Sequence, residues 1–529
     1  MIMIGRLGSS AYCSLCRYVF SLVVMALLII MPVSAKAAET KDPSFVIRSF
    51  YIEGDHVLEK ELLTAVVKDF TGEGKTAQDV ELARDALEKL YHNCGYPAVL
   101  VNIPEQTVDD GIVKLQVIES RIKRVYVKGN QYFTMENILD RLPGIEPGKV
   151  LFLPEIRNQL ARINRNPDLK VTPVLIPGKE LGTINVELNV EDDLPLHGSL
   201  ELNNRSTHTT TETRLNGLIR YDNLWQKGHS ISGQFQISPE DTDEVMVLSA
   251  SYSLPAPWDI DHLLIGYFID SDSDTASGEG FNIVGKGTIV GFRNLIPLPA
   301  LRNYDHSLTL GFDWKDFEED TQGTIVPVEY LPFSFGYVSS LVGQNGITQF
   351  SADLNFLIRD LTVNDFNKFR DKRYGSTGNY IYLTAGMERR QKLPKQCSLF
   401  LKLDGQIADQ PLINNEQYSA GGVGSVRGYK ESEIMADNAL HGTIELFAPD
   451  LLKKHVLIPY LFYDFAYLDV MEPLEGELDN KFIHGAGIGL TGNWKEIIDF
   501  KLDLGFALED TDDTRSGDME LHFKTAIRF

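Results

Sequence analysis

From Pro195 to the C-terminus the chain alternates apolar and polar residues with a period of two. Ile231, Gly233, Phe235 and Ile237 take turns with Ser232, Gln234 and Gln236. Met246, Leu248, Ala250, Tyr252 and Leu254 do the same with Val247, Ser249, Ser251 and Ser253, and Phe500, Leu502, Leu504, Phe506 and Leu508 with Asp499, Lys501, Asp503 and Gly505. Such alternation puts one set on each face of a strand. About sixteen segments read this way: 198–205, 213–222, 229–237, 245–254, 262–271, 280–292, 304–315, 328–338, 346–358, 378–389, 397–409, 438–449, 456–467, 482–493, 496–508 and 518–529. A soluble sandwich would bury the apolar set against a second sheet. A membrane barrel would turn it to lipid and keep the polar set toward a wet lumen. The connections decide. Those after even-numbered strands tend to be short, as at Asn223–Gly228, Ser339–Asn345 and Trp494–Lys495, whereas Arg359–Thr377 and Gln410–Asp437 follow odd-numbered strands and are long and polar. An even strand number with tight turns on one rim and long loops on the other predicts a closed 16-stranded antiparallel transmembrane β-barrel over residues 195–529. Arg214, Arg220, Lys501, Asp503, Lys524 and Arg528 then face a hydrated bore.

The N-terminal part has different periods. Tyr18 to Met31 is apolar, with Arg6 and Arg17 before it, Pro32 after it and the small residues Ala35 and Ala37 flanking Lys36. That predicts a signal peptide over residues 1–37. Phe45–Glu53 alternates like a strand, Leu58–Phe70 has helical spacing, and Thr76–Tyr91 puts Val80, Ala83, Leu87, Leu90 and Tyr91 on one helical face. Strands at Pro97–Ile103 and Ile112–Glu119 follow, joined by a turn at Asp109-Asp110-Gly111. The same β-α-α-β-β order returns as Ile122–Lys128, Met135–Leu142, Pro154–Asn164, Asp168–Leu175 and Ile184–Val190. A repeat of this size predicts two copies of one small α+β domain, residues 45–121 and 122–193.

Charge and cysteine usage narrow the chemistry. The 74 acidic residues against 50 basic ones give a net charge of −24, which disfavours a nucleic-acid partner. The acids gather in runs near strand junctions: Glu240, Asp241, Asp243, Glu244; Asp270, Asp272, Asp274, Glu279; Asp316, Glu318, Glu319, Asp320; Glu509, Asp510, Asp512, Asp513. Solvated loops account for them. Cys13 and Cys16 leave with the signal peptide; Cys94 and Cys397 lie in different domains and read as small buried residues without a disulfide. Gly72-Glu73-Gly74-Lys75-Thr76 ends like a phosphate loop, but Asp69 stands where the first Gly should be and the segment joins two helices. Asp270-Ser271-Asp272-Ser273-Asp274 begins like a calcium loop, but Thr275 and Phe281 replace its Gly and Glu. No nucleophile elbow or zinc spacing is present, so the expectation is no enzyme, no metal and no cofactor.

Gly421-Gly422-Val423-Gly424-Ser425-Val426-Arg427-Gly428-Tyr429 resembles the V-R-G-Y/F loop motif of the superfamily of barrels that assemble or export proteins. Two strands on, Phe462-Tyr463-Asp464-Phe465-Ala466 is similar to that superfamily's F-x-D-x-G strand motif, with Ala466 in place of the final Gly. The resemblance implies that the loop around 410–437 folds into the barrel, where Arg427 meets Asp464 on the inner wall. In a partly wet lumen such a pair contributes on the order of 1 kcal/mol and acts mainly to fix the loop's place. The last strand sets Leu521, Phe523, Thr525, Ile527 and Phe529 on one face and His522, Lys524, Ala526 and Arg528 on the other. Its ending in Phe529 resembles the C-terminal insertion signal of outer-membrane barrels, read through Phe523, Ile527 and Phe529. The two N-terminal repeats look like POTRA domains. Gly95-Tyr96-Pro97, Ile103-Pro104-Glu105-Gln106, Asp110-Gly111 and Val117-Ile118-Glu119 are similar to the first POTRA of two-partner secretion transporters (TpsB), the haemolysin secretion/activation group. Asn203-Asn204-Arg205, Tyr221-Asp222-Asn223-Leu224 and Ser251-Tyr252-Ser253-Leu254-Pro255 resemble the opening of that family's barrel.

The resemblance implies an outer-membrane pore whose POTRA domains, in the periplasm, receive an unfolded secreted partner of the β-helical TpsA type and pass it to the cell surface. Its other partners would be outer-membrane lipid and the machinery that inserts barrels. Members of the family often carry an N-terminal plug helix. About seven residues separate the expected cleavage site from Phe45, which leaves little room for one and makes the inward loop the main obstruction. The alternative is a barrel-assembly factor of the same superfamily; those usually carry more POTRA domains. A diffusion porin would lack both POTRA domains and the paired Arg/Asp motifs.

Overall fold

A computed structural model describes residues 43–529 apart from 109, 274, 279–280, 322–323, 362–365, 453–455, 477–478 and 496. The expected signal peptide, with Cys13 and Cys16, lies outside the described residues, as do Asp274 and Glu279. The chain packs as two compact units. One runs through Tyr126 and includes Leu142–Ala161 and Pro173–Leu188; the other holds Val127–Arg141, Arg162–Thr172 and Asn189–Phe529.

The first repeat contains β1 (Ser49–Glu53), α1 (Lys60–Val67), α2 (Ala77–Asn93), β2 (Val99–Asn102) and β3 (Ile112–Glu119). Its sheet order is β1-β3-β2, with β1 parallel and β2 antiparallel to the central strand. The predicted face of α2 is the core: Val80, Ala83, Leu87 and Tyr91 are buried together with Leu63, Val67, Val113, Leu115 and Val117. Thr76 starts α2, its backbone N–H donating to Asp79 Oδ2 at 2.8 Å, and that bond holds the Asp79 carboxyl below its usual range. One expectation is revised. Phe45–Glu53 is two strands, because Phe45–Ile47 turns aside to pair with Gly72–Lys75. The glycine-rich segment is thereby a short strand between helices. The second repeat contains β4 (Arg121–Lys128), α3 (Met135–Asp140), α4 (Leu153–Ile163), β5 (Leu169–Pro177) and β6 (Thr183–Asp192), with sheet order β4-β6-β5.

The rest is a closed antiparallel barrel of sixteen staves: β7 (Leu196–Asn203), β8 (Arg214–Leu224), β9 (His229–Ile237), β10 (Met246–Ala256), β11 (Asp259–Asp272), β12 (Lys286–Pro297), β13 (Tyr304–Thr321), β14 (Thr324–Tyr330 and Phe333–Val342), β15 (Gly346–Phe356), β16 (Ile381–Lys392), β17 (Ser398–Ala408), β18 (Asn438–Phe447), β19 (Ile458–Asp469), β20 (Asn480–Trp494), β21 (Ile498–Ala507) and β22 (Met519–Arg528). Closure leaves no unpaired strand edge, which is what a sheet in hydrocarbon requires. The stave β14 is broken at Leu331-Pro332, where proline has no N–H to offer; β13 pairs with both of its halves. The closing seam joins β22 to β7 from Lys524↔Asn203 to Arg528↔Ser199. Asn204 extends it, accepting from Phe523 N at 2.7 Å and donating to Leu521 O at 2.6 Å. Phe529 completes it, exchanging both backbone hydrogen bonds with Gly198 at 3.0 Å.

One strand is displaced from its expected place. The segment read as 280–292 begins instead at Lys286; Phe281–Val284 pairs with Thr275–Gly278 in a separate hairpin. The alternation runs through both pieces, and Gly285, at φ +102°, separates them. The outward face is apolar and bare: Leu461, Ile488, Leu502 and Leu521 are 57, 55, 42 and 54% exposed. The inward face is less wet than expected. Val247, Ile269, Ile289, Phe317, Val328 and Tyr330 point inward yet are buried, because Phe369, Leu412 and Ile413 of the long loops pack on them. Phe369 belongs to a helix, Phe366–Lys372, inside the loop expected to be long and polar. Among the acids expected to be solvated, Glu244 instead accepts from Thr211 N at 3.0 Å. Cys94 and Cys397 are free thiols, but half-buried, not buried.

Leu502→Arg, on the outward face near mid-strand, is expected to cost about 2–4 kcal/mol of barrel stability in lipid, while Ser251→Arg on the inward face leaves it nearly unchanged. Urea unfolding of the two variants in vesicles measures the difference; equal losses would contradict the lipid-facing assignment.

Candidate functional site

The connection between β17 and β18 turns into the bore. Its limbs pair as a short ribbon, Tyr418–Ala420 with Ile434–Ala436, and the tip carries Val426, Arg427, Gly428 and Tyr429. All four are buried. Arg427 lies against β18, β19 and β21. Its Nε and Nη2 donate to the two oxygens of Asp464 at 2.7 and 2.8 Å, and Nη1 donates to Glu445 Oε1 at 2.7 Å, with Asp503 Oδ2 at 3.5 Å. The Arg427 backbone N–H also donates to Asp464, at 3.2 Å. Phe462 supplies a floor, its ring centroid 3.6 Å from the guanidinium carbon. Lys501 closes the cluster at 3.4 Å from Asp503, and the Tyr460 hydroxyl donates to Asp503 as well.

The wall is shaped to receive the tip. Gly428 sits at φ +102°, and a Cβ there would lie 2.7 Å from Ala507 N. On the wall, a Cβ at Gly485 would lie 2.0 Å from the Arg427 carbonyl oxygen. Backbone rests on backbone, so no side chain fits between them. Tyr429 donates to the carbonyl oxygens of Glu509 at 2.9 Å and His484 at 3.2 Å, and Gly428 N donates to His522 Nε2 of the last strand at 3.3 Å. Ala466, standing where the motif has Gly, is fully buried in the apolar cluster with Val426 and Tyr429.

Arg427 and Asp464 therefore meet as expected, but in a dry place. Their side chains are 3 and 0% exposed, so the estimate for a half-wet pair is too small. Taking one partner out of a buried pair costs about 3–5 kcal/mol, because the other charge is stranded without water. Glu445, Asp503, Lys501 and His522 were not singled out as partners. The signal for Glu445 was there: His441, Thr443 and Glu445 are polar at every second position, which puts all three inside. Phe523, Ile527 and Phe529 lie away from this cluster, along the seam, with Ile527 and Phe529 47 and 73% exposed.

Among the described residues one group has metal-ligand composition: Asp168, His197 and Asp222. Its geometry is that of a hydrogen-bonded ion cluster. His197 Nε2 is 3.0 Å from Asp168 and 3.5 Å from Asp222, and the same Asp222 oxygen is 3.0 Å from Arg220 Nε. Arg220 thus already supplies Asp222 with a positive charge.

A model of the family described as haemolysin secretion/activation protein ShlB/FhaC/HecB matches residues 182–492, more than half of the chain. The chain belongs to this family. A second model, POTRA domain, ShlB-type, matches residues 45–120. Among curated proteins the chain is 23% identical over 417 residues to the outer membrane transporter CdiB of Dickeya dadantii, covering 76% of this chain and 72% of that one. It is 19% identical over 422 residues to the heme/hemopexin transporter protein HuxB of Haemophilus influenzae, covering 77 and 72%. In fold it resembles the solved structure of CdiB from Escherichia coli, with TM-score 0.65 at 18% identity over 99% of this chain and 100% of that one. CdiB from Acinetobacter baumannii follows at TM-score 0.60, 13% identity and 97 and 98% coverage. The family is described by secretion and activation, CdiB as an outer membrane transporter and HuxB as a heme/hemopexin transporter.

Arg427→Ala leaves Glu445, Asp464 and Asp503 facing a single lysine, whereas Asp464→Asn leaves Arg427 with two carboxylates. The first is expected to free the tip, exposing Lys430 to a small water-soluble amine reagent in folded, detergent-purified protein; the second is expected to expose it much less. Equal protection of Lys430 in wild type and Arg427→Ala would show that the guanidinium does not hold the tip.

Proposed function

We propose that this chain is an outer-membrane pore of two-partner (type V) secretion, taking a secreted partner protein in unfolded form from the periplasm and releasing it at the cell surface. The observation that carries this reading is the obstruction itself. A closed barrel of sixteen staves holds a long loop in its bore by side-chain contacts at the tip, not by covalent bonds. Such an obstruction can move aside. Family membership supplies the transport activity, and the loop's seat supplies a place for a gate.

In this reading the POTRA domains, residues 45–121 and 122–193, stand in the periplasm. Their three-stranded sheets offer strand edges to an extended segment of the partner; in the first sheet β1 and β2 are the edges. The partner is a β-helical protein of the TpsA type, which folds only after it emerges. Folding outside then draws the chain through, since the sequence carries no nucleotide-binding motif. Displacement of the tip exchanges the hydrogen bonds that Arg427, Gly428 and Tyr429 make to the wall for contacts with the passing chain or with water. The outward apolar band faces lipid, and Phe523, Ile527 and Phe529 serve as the insertion signal read by the barrel-assembly machinery.

Deleting residues 45–120 is expected to abolish appearance in the medium of a large β-helical partner protein co-expressed with this chain, while the barrel still shows the heat-dependent gel shift of a folded outer-membrane protein. Quantitative mass spectrometry of the culture medium measures it; undiminished export by the truncated chain would overturn the assignment of recognition to this domain.

A further inference from the structure

The inward loop is fastened at its base as well as at its tip, and the two fastenings share no residue. Asp437, at the end of the loop, is fully buried. Its oxygens accept from Arg373 Nη1 and Nη2 at 2.6 and 2.7 Å, from Leu412 N at 2.8 Å and from Met471 N at 2.8 Å. These donors come from three separate connections at the same end of the barrel: β15 to β16, β17 to β18, and β19 to β20. Arg373 returns the contact, donating to Leu412 O at 2.7 Å and Met471 O at 3.1 Å. One bidentate pair therefore joins three loops.

The pair has a dry underside. Glu416, nearby in the same loop, accepts from Lys315 Nζ and the Tyr330 hydroxyl at 2.6 Å and from the Tyr382 hydroxyl at 2.8 Å. Phe369, from the helix that leads to Arg373, is fully buried with Leu412 and Ile413. A carboxylate with its lone pairs filled by buried donors is lost only at high cost, and a guanidinium fork cannot be replaced there by water.

We infer that Arg373 and Asp437 are a second lock, independent of Arg427, which holds three loops together as one lid over the long-loop end of the bore. The inference deepens the proposed pore function and rests on it. The Arg427 lock sets where the tip lies on the wall; the Arg373–Asp437 lock keeps the lid shut. Releasing the tip alone leaves the lid closed, so a continuous path opens only when both let go. Both residues are positioning residues: neither needs to touch the passing chain.

The test is ionic conductance through the full-length protein in planar bilayers in potassium chloride, for Arg373→Ala, Asp437→Asn, Arg427→Ala and the Arg373→Ala/Arg427→Ala pair, each shown to be folded by its heat-dependent gel shift. Each single variant is expected to raise the open population about tenfold above the low wild-type level. The double variant is expected to raise it by on the order of tenfold or more above either single, the signature of two locks in series. The exchanged pair Arg373→Asp/Asp437→Arg is expected to conduct less than Arg373→Asp alone, a rescue that a general loss of packing would not give. Should Asp437→Asn fail to fold, the Arg373 variants decide. A double variant that conducts like Arg427→Ala, with no rescue in the exchanged pair, overturns the second lock. Deletion of residues 411–436 separates this from the larger reading. If the deletion conducts freely while the double variant does not, only the lock fails. If the deletion conducts no better than wild type, the pore itself is refuted, and the lock with it.

Discussion

A single guanidinium, taken out of water and set among three carboxylates, is the constraint around which the barrel interior is organised. Arg427 can be buried only because Asp464, Glu445 and Asp503 surround it, and those acids can be buried only while it is there, with Lys501 offsetting part of the remaining charge. Each depends on the other because a stranded charge in a low-dielectric site costs several kcal/mol. The surrounding sequence follows from this. The wall must offer carboxylates at inward positions of β18, β19 and β21. It must also offer glycine where the loop backbone touches it, because a Cβ at position 485 would occupy the space of the Arg427 carbonyl. The loop needs Gly428 to turn through a left-handed conformation against β21.

Lipid outside and loops inside impose opposite demands on the same strands. In hydrocarbon every backbone group must be paired within the protein, which closed pairing from β7 to β22 achieves. Side chains then sort by face, apolar residues outward and polar ones inward. The inner face is not uniformly polar, because two loops fold into it. Phe317, Val328 and Tyr330 meet Phe369, Leu412 and Ile413 instead of water. The bore is thus divided into a charged seat for the loop tip and an apolar seat for its base and the neighbouring helix. Polar seats specify position through directional bonds, while apolar seats exclude water and so strengthen the bonds beside them. Asp437 and Glu416 lie at that boundary.

The sixteen staves were legible because alternation is a local property: each strand announces its two faces without reference to its neighbours. The α2 face was legible for the same reason, with Val80, Ala83, Leu87 and Tyr91 at helical spacing. The strand that begins at Lys286 was misplaced because alternation continues through Phe281–Val284 and only the backbone turn at Gly285 interrupts it. The Arg427–Asp464 pair came from a motif resemblance, which can name two partners but not the rest of the network. Glu445 and Asp503 required knowing which inward residues lie at the same height on neighbouring staves, and that depends on strand register. Arg373 and Asp437 are sixty-four positions apart in loops with no periodicity to read. Their pairing is purely tertiary, as is the helix Phe366–Lys372, which is too short to announce itself.

The central claim is that the loop tip sits on the wall at rest and leaves it when a partner chain passes. A cysteine at position 425, next to the motif, reports this directly. Ser425 is 6% exposed, so in a background with Cys94 and Cys397 replaced by serine, Ser425→Cys should resist a water-soluble maleimide in cells lacking the partner. During active export of the partner the account predicts rapid labelling. Export that proceeds at the normal rate while the cysteine stays protected would contradict it.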